Sequence, residues 1–183
     1  MPVAAPLVYG YARHWGVTLA ILPIQVVPAP VLRQKARHVT SIDASIKKLI
    51  NDMTDTLHAN YGVGLAAPQV GVPLRVVVIH IPEEDVIVLI NPQIVRRKGE
   101  RTVIEGCLSI PGYRGEIKRS DSVTVKGLNP QGKEIRLKAE DLLCQALEHE
   151  IDHLSGILYI DHLESTDKLF PIPQDDESEE DDL

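Results

Sequence analysis

The apolar positions near residue 150 predict an amphipathic helix. Four of them recur at i, i+4, i+8 and i+11, which places them on one side of an α-helix: Leu143, Leu147, Ile151 and Leu154. Gly156 follows as a C-terminal stop signal. Burial of the apolar side would fix the orientation of the opposite side, which carries His149 and His153.

A second helical stripe lies earlier in the chain and ends before Gly62. Its apolar positions again share one face of a helix: Ile42, Ile46, Leu49, Ile50, Met53 and Leu57. Thr40 or Ser41 is expected to cap the start of this helix.

The remaining regular pattern is typical of β-strands. Residues 75–81 and 86–95 are rich in β-branched side chains and flank residues 82–85, which predicts a hairpin. A second hairpin is predicted on either side of residues 129–132, and residues 24–27 and 101–104 are expected to be extended. Strands without regular strand-helix alternation favour an α+β fold, with largely antiparallel β-sheets packed around a central helix.

Composition changes this picture only at the chain's ends. The 183 residues suffice for one domain, and the formal net charge of −7 comes from seven acids after residue 174, which leaves a neutral body. We expect a folded domain over residues 22–166, an N-terminal extension over residues 1–21, and an acidic, disordered tail over residues 167–183. A neutral body gives no electrostatic reason to expect direct nucleic-acid specificity.

Two further features bear on the compartment. The apolar residues 17–27 are interrupted by Pro23 and are too few to span a bilayer, so no membrane partner is expected. Cys107 and Cys144 could form at most one disulfide, and without a convincing secretory signal a reduced, cytoplasmic protein is the better expectation.

The predicted central helix carries the motif H-E-x-x-H at residues 149–153. At about 100° per residue, the two imidazoles lie roughly 40° apart and can bind one metal ion, with the carboxylate of Glu150 beside its open side. The central helix is therefore expected to be a metal-binding helix. A catalytic site also needs a third protein ligand.

Several residues could supply that third ligand. Helix geometry excludes Cys144, which projects roughly 140° or more away from both histidines and is better explained as a small apolar residue. The spacing leaves five candidates open: Cys107, Glu105, Asp161, His162 and Glu164. Residues 62–71 are a further candidate segment, since their small side chains permit close backbone approach and leave Gln69 as a donor and acceptor.

Three segments together resemble the motifs of a known family. They are Gly-Val-Gly-Leu-Ala-Ala-Pro-Gln at residues 62–69, Glu-Gly-Cys-Leu-Ser at residues 105–109, and His-Glu-Ile-Asp-His-Leu at residues 149–154. In this order they resemble the peptide deformylase family, and the resemblance extends over residues 22–163. It implies hydrolytic removal of the N-formyl group from the N-terminal methionine of newly made proteins. The alternative is an H-E-x-x-H zinc endopeptidase.

The resemblance also implies roles for individual residues. Metal ligands would be Cys107, His149 and His153, and catalytic groups would be Glu150, Gln69 and the backbone N–H of Leu108. Substrate would be bound by residues around the cleft: Val63, Gly64, Glu105, Arg114 and Ala146. One divalent ion is implied, with Fe(2+) expected and Zn(2+), Ni(2+) or Co(2+) compatible with the ligands.

The implied partners are N-formyl-methionyl nascent polypeptides, with transient ribosome contact. The chain departs from some bacterial members at its C-terminus, where prolines and acids replace a long basic helix. This departure argues against ribosome docking through such a helix, and leaves the chemistry unaffected.

Overall fold

A computed structural model describes residues 13–14, 17–18 and 20–172. These residues contain ten strands: β1 Arg13–His14, β2 Val17–Thr18, β3 Gly64–Ala66, β4 Val76–Ile79, β5 Ile87–Lys98, β6 Arg101–Cys107, β7 Ile110–Arg119, β8 Ser122–Leu128, β9 Glu134–Glu140 and β10 Leu169–Pro171. The α-helices are α1 Ala44–Ala59 and α2 Asp141–His153. Short 3-10 helices cover Pro30–Arg33, Ala67–Val70, Tyr159–His162 and Thr166–Lys168.

The strands form antiparallel sheets, which confirms the predicted α+β class. A five-stranded sheet has the order β3-β4-β5-β8-β9, and a three-stranded sheet has the order β10-β7-β6. The two short strands β1 and β2 pair with each other. Both predicted hairpins are present, since β4 pairs with β5 and β8 pairs with β9.

Helix α1 packs its apolar stripe on one face of the five-stranded sheet. Ile46, Ile50, Met53 and Leu57 are buried against β3, β4 and the first part of β5. The helix is capped by Asp43 rather than by Thr40 or Ser41: its side chain accepts hydrogen bonds from the backbone of Ser45 (2.9 Å) and Ile46 (3.1 Å). An aspartate carboxylate satisfies these N–H groups well, so the predicted cap was wrong by two or three residues.

Helix α2 lies on the other face of that sheet. Leu147, Ile151 and Leu154 are buried in a cluster with side chains of β4, β5, β8 and β9, as the spacing predicted. The polar side of α2 is buried too, because β3 and β6 pack over His149, Glu150 and His153. Helix α2 is therefore held on both sides, which fixes its side chains more firmly than one apolar face would.

The structure also differs from the strand predictions in two places. Strand β7 was not predicted, because its proline, glycines and charged residues interrupt any alternation, yet it pairs along β6. Residues 24–27 form no strand, although Gln25 and Val27 donate backbone hydrogen bonds to Gln69 and Ser109. Tertiary pairing decided both cases, since backbone hydrogen bonds form wherever a partner strand or loop is presented.

The folded part of the chain continues beyond residue 166. Residues 169–171 form β10, which pairs with β7, and Ile172 donates a backbone hydrogen bond to Gly112 (2.9 Å). The expected disorder of the tail is therefore wrong for residues 167–172. The expectations for residues 173–183, and for most of residues 1–21, lie outside the described residues. No helix in the part described is long and apolar enough to cross a membrane.

Candidate metal centre

Three potential metal ligands meet beside helix α2. Cys107 ends β6, and His149 and His153 lie one helical turn apart on α2. The donor atoms of these three residues all lie within 4.8 Å of one another, and the Cys107 Sγ is 3.3 Å from the His153 Nε2. Helix α2 holds the two imidazole rings at a fixed spacing. The thiol of Cys107 lies next to them because β6 ends there, at the sharp turn into β7.

The other candidates for the third ligand are engaged elsewhere. Asp161 pairs with Arg33, the His162 Nε2 lies 2.8 Å from Asp152, and Glu164 pairs with Lys118 at 2.9 Å. Cys144 is buried, with its Sγ donating to the backbone oxygen of Ser120 (3.3 Å). Both cysteines are free thiols. Among the described residues, only Cys107 completes the pair of histidines.

A carboxylate orients the ring of His149. The His149 Nδ1 lies 2.7 Å from the Glu105 Oε2, which leaves its Nε2 for the ligand cluster. Glu105 also accepts two hydrogen bonds from Arg119, at 2.8 and 3.0 Å, and Arg119 donates to Asp152 at 2.6 Å. Burial opposes ionisation of Glu105, but the hydrogen bonds from His149 and Arg119 outweigh it and lower its pKa to about 2.

This geometry gives Glu105 a role beyond the predicted one. The residue does line the cleft, and its carboxylate, which is 2% exposed, is turned toward His149 and Arg119. Carboxylates bonded to the second ring nitrogen of a histidine commonly fix the tautomer and orientation of metal ligands. Arg119 and Asp152 extend this support. Neither role was predicted, because Arg119 reaches Glu105 and Asp152 only through the pairing of β6 with β7.

The surroundings of His149 favour a metal cation. Burial opposes a charge on His149, but Cys107 and the neighbouring carboxylates outweigh it and raise its pKa well above the usual value. Surroundings that favour a positive charge at this ring also favour a cation bound to it. One thiol and two imidazoles are a donor set suited to Zn(2+), Fe(2+), Ni(2+) or Co(2+).

Glu150 lies beside the ligand cluster, and one of its carboxylate oxygens accepts no hydrogen bond from the described residues. The side chain is buried, and its Oε2 has no hydrogen-bond partner among the described residues. Burial raises its pKa to about 7. The backbone of Gly64 passes so close that a Cβ there would lie 2.4 Å from the Glu150 Oε1. The close approach expected of the glycine-rich segment is therefore an approach to Glu150.

Gln69 faces the cluster from the 3-10 helix Ala67–Val70. The side chain is buried: its Oε1 accepts from the backbone of Ala66 (2.8 Å), and its Nε2 donates to the Ser109 Oγ (3.2 Å). The Nε2 also lies 3.5 Å from the Cys107 Sγ. The amide is thereby held with its donor end toward the ligands. Ser109 was not predicted as part of this arrangement, although it stands in the same motif as Cys107.

An open cavity of 790 Å³ leads from the surface to these groups. Its walls include every residue predicted to bind substrate: Val63, Gly64, Glu105, Arg114 and Ala146. Leu108 also lines it, while the exposed aromatic rings of Tyr61 and Tyr113 lie at the walls. Such a wide, largely apolar cleft can admit an extended peptide rather than only a small ion or water.

Comparison with known proteins decides the family. The family described as polypeptide deformylase matches residues 21–169. This chain belongs to the peptide deformylase family. A peptide deformylase of Dehalococcoides mccartyi (strain CBDB1) is 56% identical over 163 residues, which are 88% of this chain and 98% of the relative. Family membership confirms that the protein is a hydrolase of the peptide deformylase type, and the zinc endopeptidase alternative is set aside.

Solved structures agree with this assignment. A peptide deformylase from Legionella pneumophila has a TM-score of 0.78 and 46% identity, covering 81% of this chain and 89% of that one. A class I type b peptide deformylase from Acinetobacter baumannii, solved with Met-Ala-Ser bound, has a TM-score of 0.77 and 30% identity, covering 79% and 99%. The deformylase family fold thus carries the cluster described above.

Proposed function

We propose that this protein removes the formyl group from the N-terminal methionine of newly made polypeptides and releases formate. The observation that carries the proposal is the meeting of Cys107, His149 and His153 beside a carboxylate oxygen of Glu150 that has no hydrogen-bond partner among the described residues, at the base of an open cleft. The relative with bound Met-Ala-Ser supports a peptide substrate that begins with methionine.

Cys107, His149 and His153 would hold one divalent ion, expected to be Fe(2+), through a thiolate and two neutral imidazoles. When bound, the ion would supply Lewis acidity that activates water at neutral pH and polarises the formyl carbonyl. Glu105 would keep the His149 Nε2 turned toward the ion by holding its Nδ1–H.

The proton transfers would fall to Glu150. Its unpartnered oxygen accepts a proton from the attacking water as the new carbon–oxygen bond forms. Glu150 then returns the proton to the methionine nitrogen as the carbon–nitrogen bond breaks, which yields formate and a free amine. Burial raises its pKa to about 7, which suits a group that must both accept and donate a proton.

Two donors would stabilise the negative charge that develops on the formyl oxygen. They are the Gln69 Nε2, held by the Ser109 and Ala66 contacts, and the backbone N–H of Leu108. Val63, Glu105 and Ala146 would line the methionine pocket, the backbone of Gly64 would lie near the formyl oxygen, and Arg114 would lie along the bound peptide. Glu105 would also position His149.

Formate release tests the proposal directly. The purified protein, kept anaerobic and loaded with Fe(2+), should release one formate per formyl-Met-Ala-Ser and leave Met-Ala-Ser intact. Acetyl-Met-Ala-Ser is the matched control, because it keeps the peptide and replaces the formyl hydrogen by a methyl group. Cleavage inside the peptide, or no formate from the metal-loaded protein, would contradict the proposal.

Gln69→Ala is expected to lower kcat by about 10²- to 10³-fold while KM changes much less, because a preorganised donor acts where charge develops in the transition state. Steady-state kinetics on formyl-Met-Ala-Ser measure both values. The exposed Gln93→Ala variant is the matched control and should behave as wild type. A change confined to KM would make Gln69 a binding residue only.

Glu105→Gln is expected to weaken metal affinity by about 10- to 100-fold, because the amide orients the His149 ring less strongly than the carboxylate. Competition with a chelator measures the affinity, and thermal unfolding shows whether the fold is retained. Glu134→Gln, an exposed change of the same kind, should leave metal affinity unchanged. Unaltered affinity in Glu105→Gln would remove the positioning role.

The substrate also implies where the protein acts. Formylated amino termini occur on polypeptides that are still being made or have just been released, so a cytoplasmic protein in transient contact with ribosomes fits the activity.

A further inference from the structure

The outer face of the five-stranded sheet collects positive charge. Side chains of residues directly opposite one another in a sheet point to the same face. One row is Arg96, Thr124 and Lys138, and the next row is Gln93, Lys126 and Arg136. Lys98, Ser122 and Glu140 form a third row. We call these three rows the basic face.

Within residues 20–172, the basic face is the uncovered half of a sheet surface whose other half lies under α1. Ile90 and Leu128, directly opposite each other, are packed in the cluster beneath α1. Beyond that pair, the cationic side chains of β5, β8 and β9 are exposed. The reverse side of the same strands carries Val123, Val125 and Ala139, which are buried against α2. The strands therefore need the reverse side for folding, but not the basic face.

The charge on this face is poorly compensated. Five cations, Arg96, Lys98, Lys126, Arg136 and Lys138, share it with the carboxylate of Glu140, and that carboxylate pairs with Lys138 at 2.6 Å. Within residues 20–172, Arg96, Lys126 and Arg136 make no ion pair. Lys126 and Arg136 lie directly opposite each other, an arrangement that weakens strand pairing. A bound polyanion would offset the repulsion between these two cations.

We propose that the basic face binds the phosphate backbone of RNA and holds the protein against RNA on a translating ribosome. The ribosomal setting rests on the proposed function, because formylated chains are found there. The exposed rows carry no aromatic side chain, so base stacking is not available and the contact is to phosphate, without sequence preference. None of the six basic-face residues in the Arg96 and Lys126 rows lines the catalytic cleft, which stays open when the face is occupied.

The proposal predicts a salt-dependent interaction with a 20-base-pair RNA hairpin as the probe. If about three phosphates are neutralised, affinity should fall with a logarithmic slope of roughly −2 to −3 against salt concentration. The full-length triple variant Arg96→Glu, Lys126→Glu and Arg136→Glu should bind the hairpin at least about tenfold more weakly at 50 mM salt. Its formate release from formyl-Met-Ala-Ser should equal that of wild type.

A second triple variant controls for total charge. Lys35→Glu, Arg37→Glu and Lys47→Glu change the same number of exposed cations elsewhere, and should bind the hairpin nearly as well as wild type. An equal loss of hairpin affinity in both triple variants, or no hairpin binding by wild type at 50 mM salt, would overturn the proposal. The proposal would also be overturned if the hairpin bound only after the seven acids after residue 174 were changed to amides, since those acids would then compete for the basic face.

If the wild-type protein released no formate, that result would instead refute the enzymatic function.

Discussion

Glu150→Gln should lower kcat for formyl-Met-Ala-Ser by about 10²- to 10⁴-fold, the usual contribution of a general acid and base. The amide keeps the size of the carboxylate and the packing against Gly64, but it cannot accept the water proton. It does not remove a metal ligand, so bound metal should stay near one ion per chain. Steady-state formate release and metal analysis of the same preparation provide the two measurements.

The comparison between those measurements decides the role of Glu150. Glu150→Ala should also keep its metal while its turnover falls, and it should in addition lose the packing of the Glu150 side chain. Near-normal turnover in either variant would reject Glu150 as the proton-transfer group. Loss of metal together with turnover would mean that the carboxylate serves the metal instead.

Cys107→Ser should abolish metal binding and, with it, formate release. A serine hydroxyl stays protonated at neutral pH and is a poor ligand, whereas a cysteine thiol gives a thiolate. The two histidines alone leave an incomplete donor set. Metal content, chelator competition and formate release should all fall together, with turnover lower by more than about 10³-fold because the nucleophile is no longer activated.

Cys144→Ser is the matched control for this change. Cys144 is also a free cysteine, but it is buried on the far side of α2 and bonds to Ser120. Its replacement should reduce stability modestly and leave metal content and turnover per folded molecule unchanged. A Cys107→Ser protein that keeps one ion per chain and full turnover would show that the thiol is not a ligand.

The ligand set shows how far local reasoning from the sequence extends. The spacing of His149 and His153 on a helix follows from 3.6 residues per turn, so their joint orientation could be predicted without a structure. Cys107 stands 42 positions before His149, and no periodicity connects such distant positions. Only the resemblance of the motif around Cys107 pointed to it, and the turn between β6 and β7 is what brings it to the rings.

The support around the ligands was harder to foresee. Glu105 was expected only to line the methionine pocket, and the structure shows that its carboxylate also contacts His149 and Arg119. Arg119 lies in β7, a strand that the sequence pattern did not predict. Buried ion pairs of this kind are invisible in a sequence, because a charged residue is normally exposed unless tertiary structure supplies its partner.

By itself, the sequence determined the apolar stripes of α1 and α2, the two hairpins β4–β5 and β8–β9, and the pair of imidazoles on one helix face, since each depends on spacing within a short segment. Tertiary structure alone decided the meeting of Cys107 with those imidazoles, the Glu105–Arg119 support and the basic face. The body of the chain is neutral overall, so its composition indicated no polyanion site. Strand register brings the cations together on one surface, because it places residues that are distant in the chain side by side.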